Sequence, residues 1–174
     1  RLRVPPTDRI RPATQARAAA DRHGFPKIIK PIAGAGSADT YRVDGAKELD
    51  ATLAKMHHVP EASCEEFITG EEFTCDTVCI GGRPAYINVA QYLPPPLIAR
   101  SQEWVSPVIT TVRDLTQAPI ARGIELGKGV LRALGMGDGF THMEWFLKPD
   151  GEVVFGEIGC RPGGAHLVDQ MNYT

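Results

Sequence analysis

Two glutamates near the C-terminal end of the sequence lie within runs of residues typical of β-strands. Glu144 belongs to the run His142 to Leu147, and Glu157 belongs to the run Val153 to Gly159. Because burying an unpaired carboxylate is costly, acids inside apolar runs indicate a compensating cation. Paired carboxylate oxygens suit Mg²⁺ that bridges to phosphate, and the Arg161 guanidinium suits an anionic substrate. The two acids therefore predict a site for metal and phosphate.

The alternative for this hairpin is an exposed strand pair with both acids on the solvent face, which the neighbouring aromatic and aliphatic residues disfavour. The register presents a difficulty. A three-residue Pro-Asp-Gly turn pairs Lys148 with Glu152. In a regular ladder Glu144 would then face Gly156 and not Glu157. Because glycine commonly marks bulges, we predict a bulge at Gly156 that brings the two acids opposite each other.

A short strand pattern that ends in Lys30 precedes the small-residue loop Gly34-Ala35-Gly36-Ser37. Glycines let the backbone approach a phosphate, successive amide N–H groups cradle its oxygens, and a lysine adds a point charge. The segment lacks the Gly-Lys-Ser/Thr ending of a Walker A loop. A glycine-rich hairpin turn beside a solvated lysine is the alternative.

A cluster of acids lies in the segment 65–74, at the proposed junction of two lobes, where ligand clefts often form. Glu72 is a candidate to accept hydrogen bonds from ribose hydroxyls, as acidic residues do in dinucleotide sites. The alternative is a solvated acidic turn.

The composition excludes several classes of protein. The chain has 174 residues, 43% of them hydrophobic, enough for one domain or two small lobes. A net charge of −2 offers no electrostatic basis for binding nucleic acid or an anionic membrane surface. No apolar stretch reaches membrane-spanning length and no signal peptide opens the sequence, so we expect a cytoplasmic protein. The four cysteines form no CxxC pair, which favours buried reduced thiols over a zinc site.

The pattern of residues predicts elements that could position these groups. Thr7 or Asp8 is a candidate cap for an Ala-rich helix over residues 13–22, which Gly24 ends. The further predicted elements are strands over 25–31, 41–43, 63–68, 72–80 and 84–92, helices over 46–57 and 119–134, a hairpin turn at Gly81-Gly82, and a long loop over 93–107. A β-α-β start and an antiparallel second half predict an α+β fold in two lobes, hinged near Thr69-Gly70.

In this order the motifs resemble the ATP-grasp family of carboxylate–amine and carboxylate–thiol ligases, which includes D-alanine–D-alanine ligase, amino-acid ligases, biotin carboxylase and carbamoyl-phosphate synthase. The matching segments are Phe25-Pro26-Lys27-Ile28-Ile29-Lys30-Pro31, the acidic segment 65–74, Glu144, and Glu157-Ile158-Gly159-Cys160-Arg161-Pro162-Gly163-Gly164. The resemblance implies two α+β lobes with antiparallel sheets and ATP bound between them. Residues 1–69 would form the central lobe and residues 70–174 the C-terminal lobe.

The resemblance also implies a role for each matching position. The implied nucleotide contacts are Lys30 to the α- and β-phosphates, Gly34, Gly36 and Ser37 in the loop over the β- and γ-phosphates, Glu65 with the backbone of Glu66 and Ile68 at the adenine, and Glu72 at the ribose. Glu144 and Glu157 would hold Mg²⁺ or Mn²⁺. The implied groups at the reacting atoms are Arg161, the amides around Gly163 and Gly164, and His142, which would face the phosphates.

Two departures from the family stand out. The family usually has an asparagine two residues after the second metal carboxylate, where this sequence has Gly159. Either water completes the second Mg²⁺ or only one metal is well held. The N-terminal lobe of the family, with its own ATP-contacting lysine, is also missing, so a fragment of this extent is expected to be inactive alone.

The resemblance therefore implies an ATP- and Mg²⁺-dependent ligase that activates a small-molecule carboxylate as an acyl phosphate for attack by an amine. No nucleic acid or membrane partner is expected, and self-association into a homo-oligomer is left open. A carboxyphosphate-forming enzyme is one alternative, although the ending Arg161-Pro162-Gly163-Gly164 favours amino-acid ligases. A non-catalytic nucleotide-binding module is the other alternative, favoured by Gly159 and the missing lobe.

Overall fold

The structure, a computed structural model, describes residues 1–33, 39–102 and 104–173. The elements follow in the order β1 (Thr7–Ile10), α1 (Pro12–His23), β2 (Lys27–Pro31), β3 (Tyr41–Val43), α2 (Ala46–Lys55), β4 (Ala62–Glu66), β5 (Glu71–Ile80), β6 (Arg83–Leu93), α3 (Pro96–Ser101), β7 (Val108–Thr111), α4 (Ala118–Leu134), β8 (Gly139–Leu147), β9 (Val153–Gly159) and α5 (Leu167–Met171). None of the described helices is long and apolar enough to cross a membrane. The chain divides into two compact units, Pro5–Ile68 and Arg1–Val4 with Thr69–Thr174.

The smaller unit is an antiparallel sheet in the order β1-β4-β2-β3, with helices α1 and α2 contributing to one core. Each strand turns alternate side chains towards that core, and among them Ile29 of β2, Val43 of β3 and Cys64 of β4 are fully buried. The helices contribute small and aliphatic side chains, among them Ala19 and Leu49. This arrangement leaves the other face of the sheet for Lys30 and Glu65.

The prediction that Thr7 or Asp8 caps the first helix is wrong, because these residues belong to strand β1. Thr7 pairs with Glu65 of β4, and Ile10 at the end of the strand is 2% exposed in the core. The helix begins instead at Pro12, which is tolerated there because the first helical turn leaves its N–H groups without intrahelical partners. Burial of Ile10 thus favours a strand over a helix cap at residues 7–10.

The larger unit contains a five-stranded antiparallel sheet in the order β7-β6-β5-β8-β9. The predicted hairpin turn at Gly81-Gly82 is confirmed, since it joins β5 to β6 with φ values of 58° and 74°. Positive φ at both central residues defines the turn that matches strand twist, and glycine adopts it without steric cost. Neighbouring strands β5 and β8 carry the predicted site residues Glu72, His142 and Glu144.

Helix α4 packs on one face of this sheet. The core there contains Phe73, Cys75, Val89, Met143 and Trp145 from the strands and Ile120, Ile124 and Val130 from the helix. Trp145 is fully buried and stacks on Phe73 with ring centroids 4.8 Å apart. Gly123 allows the helix to approach so closely that a Cβ at this position would overlap the Trp145 indole. Met143 and Trp145 are therefore held firmly, and Glu144 between them points to the opposite face.

Two further predictions of organisation are corrected, and one element had no prediction. The predicted loop 93–107 contains the helix α3, because a proline such as Pro96 is tolerated in a first helical turn. The short helix α5 was not expected. Residues 1–4 group with the larger unit and not with the first lobe, since the Phe155 N–H donates to the Arg3 carbonyl at 2.9 Å.

The cysteines are also only partly as expected. Cys64, Cys75 and Cys79 are buried free thiols, and burial raises the pKa of Cys75 to about 12. Cys160 is exposed, because it follows the last residue of strand β9 and lies outside the sheet.

The substitution Gly123→Ala tests the contact between α4 and Trp145. Alanine is favoured over glycine in a helix by about 1 kcal/mol. Overlap with the indole should nevertheless lower the free energy of unfolding by about 1–3 kcal/mol, measured by urea denaturation. Gly137→Ala is the control, because a Cβ there meets nothing within 4 Å. A Gly123→Ala protein at least as stable as the parent would contradict this packing.

Candidate functional site

The larger sheet has a polar face opposite the face that packs on α4. Residues that pair across strands share a face, and the pairs here include Asp76 with Asn88, Asp76 with His142, and Thr74 with Glu144. The polar side chains on this face are Glu72, Thr74, Asp76, Asn88, Tyr92, His142, Glu144 and Glu157. Four predicted site residues, Glu72, His142, Glu144 and Glu157, therefore share one surface of the sheet.

The predicted bulge at Gly156 is confirmed. Strands β8 and β9 pair Trp145 with Phe155 on one side of it and Glu144 with Glu157 on the other, which leaves Gly156 as the extra residue. A Cβ on Gly156 would lie 2.8 Å from the carbonyl oxygen of Glu144, closer than real Cβ atoms approach. Glycine is thus required at the bulge, and the bulge places the two carboxylates opposite each other on the polar face.

Glu144 is half-buried and oriented by two neighbours. The Tyr92 hydroxyl donates to Oε1 of Glu144 at 3.3 Å, and Nε2 of His142 lies 3.5 Å from the same oxygen. Burial and the nearby Glu144 carboxylate both raise the pKa of Tyr92, so its hydroxyl stays protonated and acts as a donor. Glu157, its cross-strand partner, is exposed. One acid of the pair is therefore held in place and the other faces solvent.

His142 is the central group of a buried hydrogen-bonded chain. Its Nδ1 lies 2.6 Å from Oδ1 of Asp76, and the Thr74 hydroxyl donates to Oδ2 of Asp76 at 2.7 Å. Burial alone would lower the pKa of His142, but hydrogen bonds to Asp76 and Glu144 outweigh burial and raise it to about 9. An imidazolium donates from both ring nitrogens, which suits a ring placed between two carboxylates.

Asp76 was missed by the sequence analysis. It is 1% exposed, although it stands in a strand whose other residues are mostly apolar or hydroxylic. The available signal was the same one that identified Glu144, a carboxylate within a run of strand-forming residues. Asn88, its neighbour on β6, is also buried, and its Nδ2 has no hydrogen-bond partner among the described residues.

The segment after β9 crosses the Asp76–His142 pair. A Cβ on Gly163 would lie 2.6 Å from Oδ1 of Asp76 and 3.1 Å from Nδ1 of His142, so only glycine fits there. Leu167, just beyond, is buried. Gly163 thus lies next to the candidate site, whereas a Cβ on Gly164 would meet nothing within 4 Å. Their predicted role in substrate binding stays a prediction.

Arg161 is exposed, and its Nη1 donates to the carbonyl of Pro162 at 2.9 Å. The aliphatic part of its side chain lies over Gly159, where a Cβ would be 3.4 Å from Cγ of Arg161. The space that an asparagine side chain would enter at position 159 is therefore lined by the arginine.

The smaller unit brings together two of the predicted nucleotide contacts. Nζ of Lys30 lies 3.3 Å from Oε2 of Glu65, and the Ser63 hydroxyl donates to Oε1 of Glu65 at 2.6 Å. The Glu66 N–H donates to the Pro6 carbonyl at 3.0 Å, and Ile68 is 8% exposed. The predicted loop residues Gly34, Gly36 and Ser37 lie outside the described residues.

The raised pKa of His142 predicts a pH dependence of stability. The folded-state pKa of about 9 lies above the ordinary value of 6.5. The stabilisation is therefore complete below about pH 6.5 and is lost as the pH rises through 9. Urea denaturation in EDTA from pH 6 to 10 should show this loss. The loss of stability with rising pH should be absent in His142→Gln. It should be retained in the control His57→Gln, which changes an exposed histidine. An unchanged profile in His142→Gln would contradict the assignment.

Comparisons with known proteins identify the family of this chain. The ATP-grasp domain profile matches residues 23–169 of the chain. An L-arginine-specific L-amino acid ligase of Bacillus subtilis is 30% identical over 157 residues, which cover 86% of this chain and 37% of the ligase. The chain thus spans less than half the length of this relative.

Two solved structures share the fold. The L-amino acid ligase from Bacillus licheniformis superposes with a TM-score of 0.73 at 23% identity, over 95% of this chain and 38% of that one. The D-alanine–D-alanine ligase from Bacillus anthracis, complexed with ATP, gives 0.74 at 20% identity, over 99% of this chain and 55% of that one. Since the ATP-grasp domain matches residues 23–169, which are most of this sequence, the chain belongs to the ATP-grasp family.

Proposed function

We propose that this chain is the nucleotide- and metal-binding part of an ATP-dependent ligase that joins a carboxylate to an amine. Within that class we place it with the amino-acid ligases. The similarity of the chain to an L-arginine-specific L-amino acid ligase, at 30% identity, supports this choice. Because the chain spans 37% of that relative, the activity is proposed for the intact protein that contains it.

The observation that carries the proposal is the cross-strand pairing of Glu144 with Glu157. Carboxylates are hard oxygen donors of the kind that Mg²⁺ or Mn²⁺ prefers. Within the described ranges no three acidic, histidine or cysteine side chains converge as a complete metal site. The two glutamates therefore fit an ion that keeps waters or takes phosphate oxygens as its other ligands. When bound, such an ion would neutralise charge on the phosphates.

Gly159 leaves one coordination position of the proposed ion without a protein ligand. It offers no donor at the position where the family usually has an asparagine, and Arg161 lies against it. We propose that water completes the coordination there. The guanidinium of Arg161 keeps further N–H groups that are suited to a phosphate or carboxylate oxygen.

In the proposed reaction a substrate carboxylate oxygen attacks the terminal phosphorus of ATP and displaces ADP, which gives an acyl phosphate. An amine then attacks the carbonyl carbon of the acyl phosphate, and phosphate and a proton leave as the amide forms. Lys30 binds phosphate by exchanging its contact with Glu65 for one with the nucleotide. Arg161 neutralises charge on the transferring group, and Glu72 and Glu65 hold the ribose and adenine. Catalysis of this kind depends chiefly on positioning and electrostatics. His142 contributes positive charge on the polar face.

Substitution of either acid tests the metal assignment. Glu144→Gln and Glu157→Gln keep the size of the side chain but remove its charge, so each should lower Mg²⁺-dependent ADP release by at least about 100-fold. Glu125→Gln, an exposed acid on α4, is the matched control and should keep the parent rate. ATP hydrolysis near the parent rate in either site variant would remove the assignment.

A substrate panel tests the reaction class. The intact protein should release ADP in the presence of particular amino acids and form a dipeptide or amide, detected by mass spectrometry. ADP release with bicarbonate and no amino acid would indicate a carboxyphosphate-forming enzyme instead. Binding of Mg·ATP by calorimetry without turnover on any substrate would indicate a non-catalytic module.

A further inference from the structure

We infer that Asp76 is a positioning residue that holds the Glu144 carboxylate ready for a divalent cation by fixing the His142 ring between them. This inference rests on the proposed function, since it assumes that Glu144 is a metal ligand. Asp76 itself does not contact the proposed ion or the nucleotide in this assignment. It acts through His142.

The contacts form a continuous chain across the two neighbouring strands β5 and β8. Asp76 on β5 and His142 on β8 are directly paired, and Nδ1 of His142 lies 2.6 Å from Oδ1 of Asp76. The other carboxylate oxygen of Asp76 accepts the Thr74 hydroxyl at 2.7 Å. Both oxygens of Asp76 are thus occupied, so its orientation is fixed. A fixed acceptor at Nδ1 directs the opposite ring nitrogen, Nε2, towards Glu144.

The geometry at Glu144 shows what this orientation achieves. Nε2 of His142 and the Tyr92 hydroxyl approach the same oxygen, Oε1, at 3.5 Å and 3.3 Å. Donors on one carboxylate oxygen set the rotation of the group and leave its second oxygen for another ligand. Hydrogen bonds of this kind behind a metal ligand generally strengthen the binding of the metal.

Burial gives an independent reason to assign the chain a role beyond folding. Asp76 is 1% exposed and His142 is 4% exposed, and Gly163 packs against both. Replacing a buried ion pair by apolar residues of similar volume is often neutral or stabilising, because the cost of desolvation offsets the attraction. Apolar side chains of similar volume would fill this space as well. A series of charged, hydrogen-bonded side chains that ends at Glu144 is better explained by its effect on the orientation of that carboxylate.

The test measures metal binding directly and not turnover. Mn²⁺ affinity of the intact protein in the presence of ADP is followed by the loss of the free Mn²⁺ electron paramagnetic resonance signal. Asp76→Ala should weaken Mn²⁺ binding by about 10-fold or more. Asp76→Asn, which keeps an acceptor oxygen in the same place, should recover part of the affinity. Circular dichroism reports whether each variant is folded.

Two more variants separate positioning from folding. Thr74→Val removes only the hydrogen bond that orients Asp76, so it should weaken Mn²⁺ binding in the same direction but less. Thr141→Val is the matched control, because it removes a buried 2.6 Å hydrogen bond to Thr77 on neighbouring residues of the same strands. It should leave the Mn²⁺ affinity unchanged.

The outcomes distinguish this inference from the proposed function. A folded Asp76→Ala protein with the Mn²⁺ affinity of Thr141→Val would overturn the inference alone. If Asp76→Ala does not fold, Thr74→Val decides, and an affinity equal to that of the parent overturns the inference. Absence of Mn²⁺ binding in the parent with ADP present would instead overturn the proposed metal site.

Discussion

The candidate site depends on one irregularity, the bulge at Gly156. If the ladder continued regularly from the pairing of Lys148 with Glu152, Glu157 would lie opposite Met143 and point into the core beneath α4. Burying a carboxylate there without a partner would be costly. One extra residue moves Glu157 to the other face, opposite Glu144. The turn, the bulge and the two acids therefore function as a single structural unit.

The two faces of the larger sheet make different contributions. On the face beneath α4, Met143 and Trp145 are fully enclosed, and the close approach at Gly123 fixes the position of the indole. Glu144 lies between these anchored residues, so its backbone is held before any ligand arrives. The polar face then sets the side-chain orientation through Tyr92 and His142. Rigid packing behind the sheet is what allows precise placement of charge in front of it.

The parts of the fold that could be predicted are those governed by local chemistry. The Gly81-Gly82 turn needs positive φ, and Gly156 was recognisable as a bulge because a glycine stood where two acids had to converge. Thr7 and Asp8 are good capping residues and so predict a helix cap, whereas burial of Ile10 against β4 places them in strand β1. Similarly, three consecutive prolines predict a loop over residues 93–107. The last of them, Pro96, instead begins the helix α3, because proline is tolerated in a first helical turn.

Residue types a few positions apart are enough to predict the strand periodicity, the turns and the presence of two acids in apolar surroundings. The hydrogen bond between Asp76 and His142, which are far apart in the chain, follows from the folded arrangement of the strands and not from local sequence. Residues 1–4 joined the larger unit for the same kind of reason, a backbone hydrogen bond to Phe155. Such contacts depend on the order and register of strands, and neighbouring residues in the sequence do not specify these.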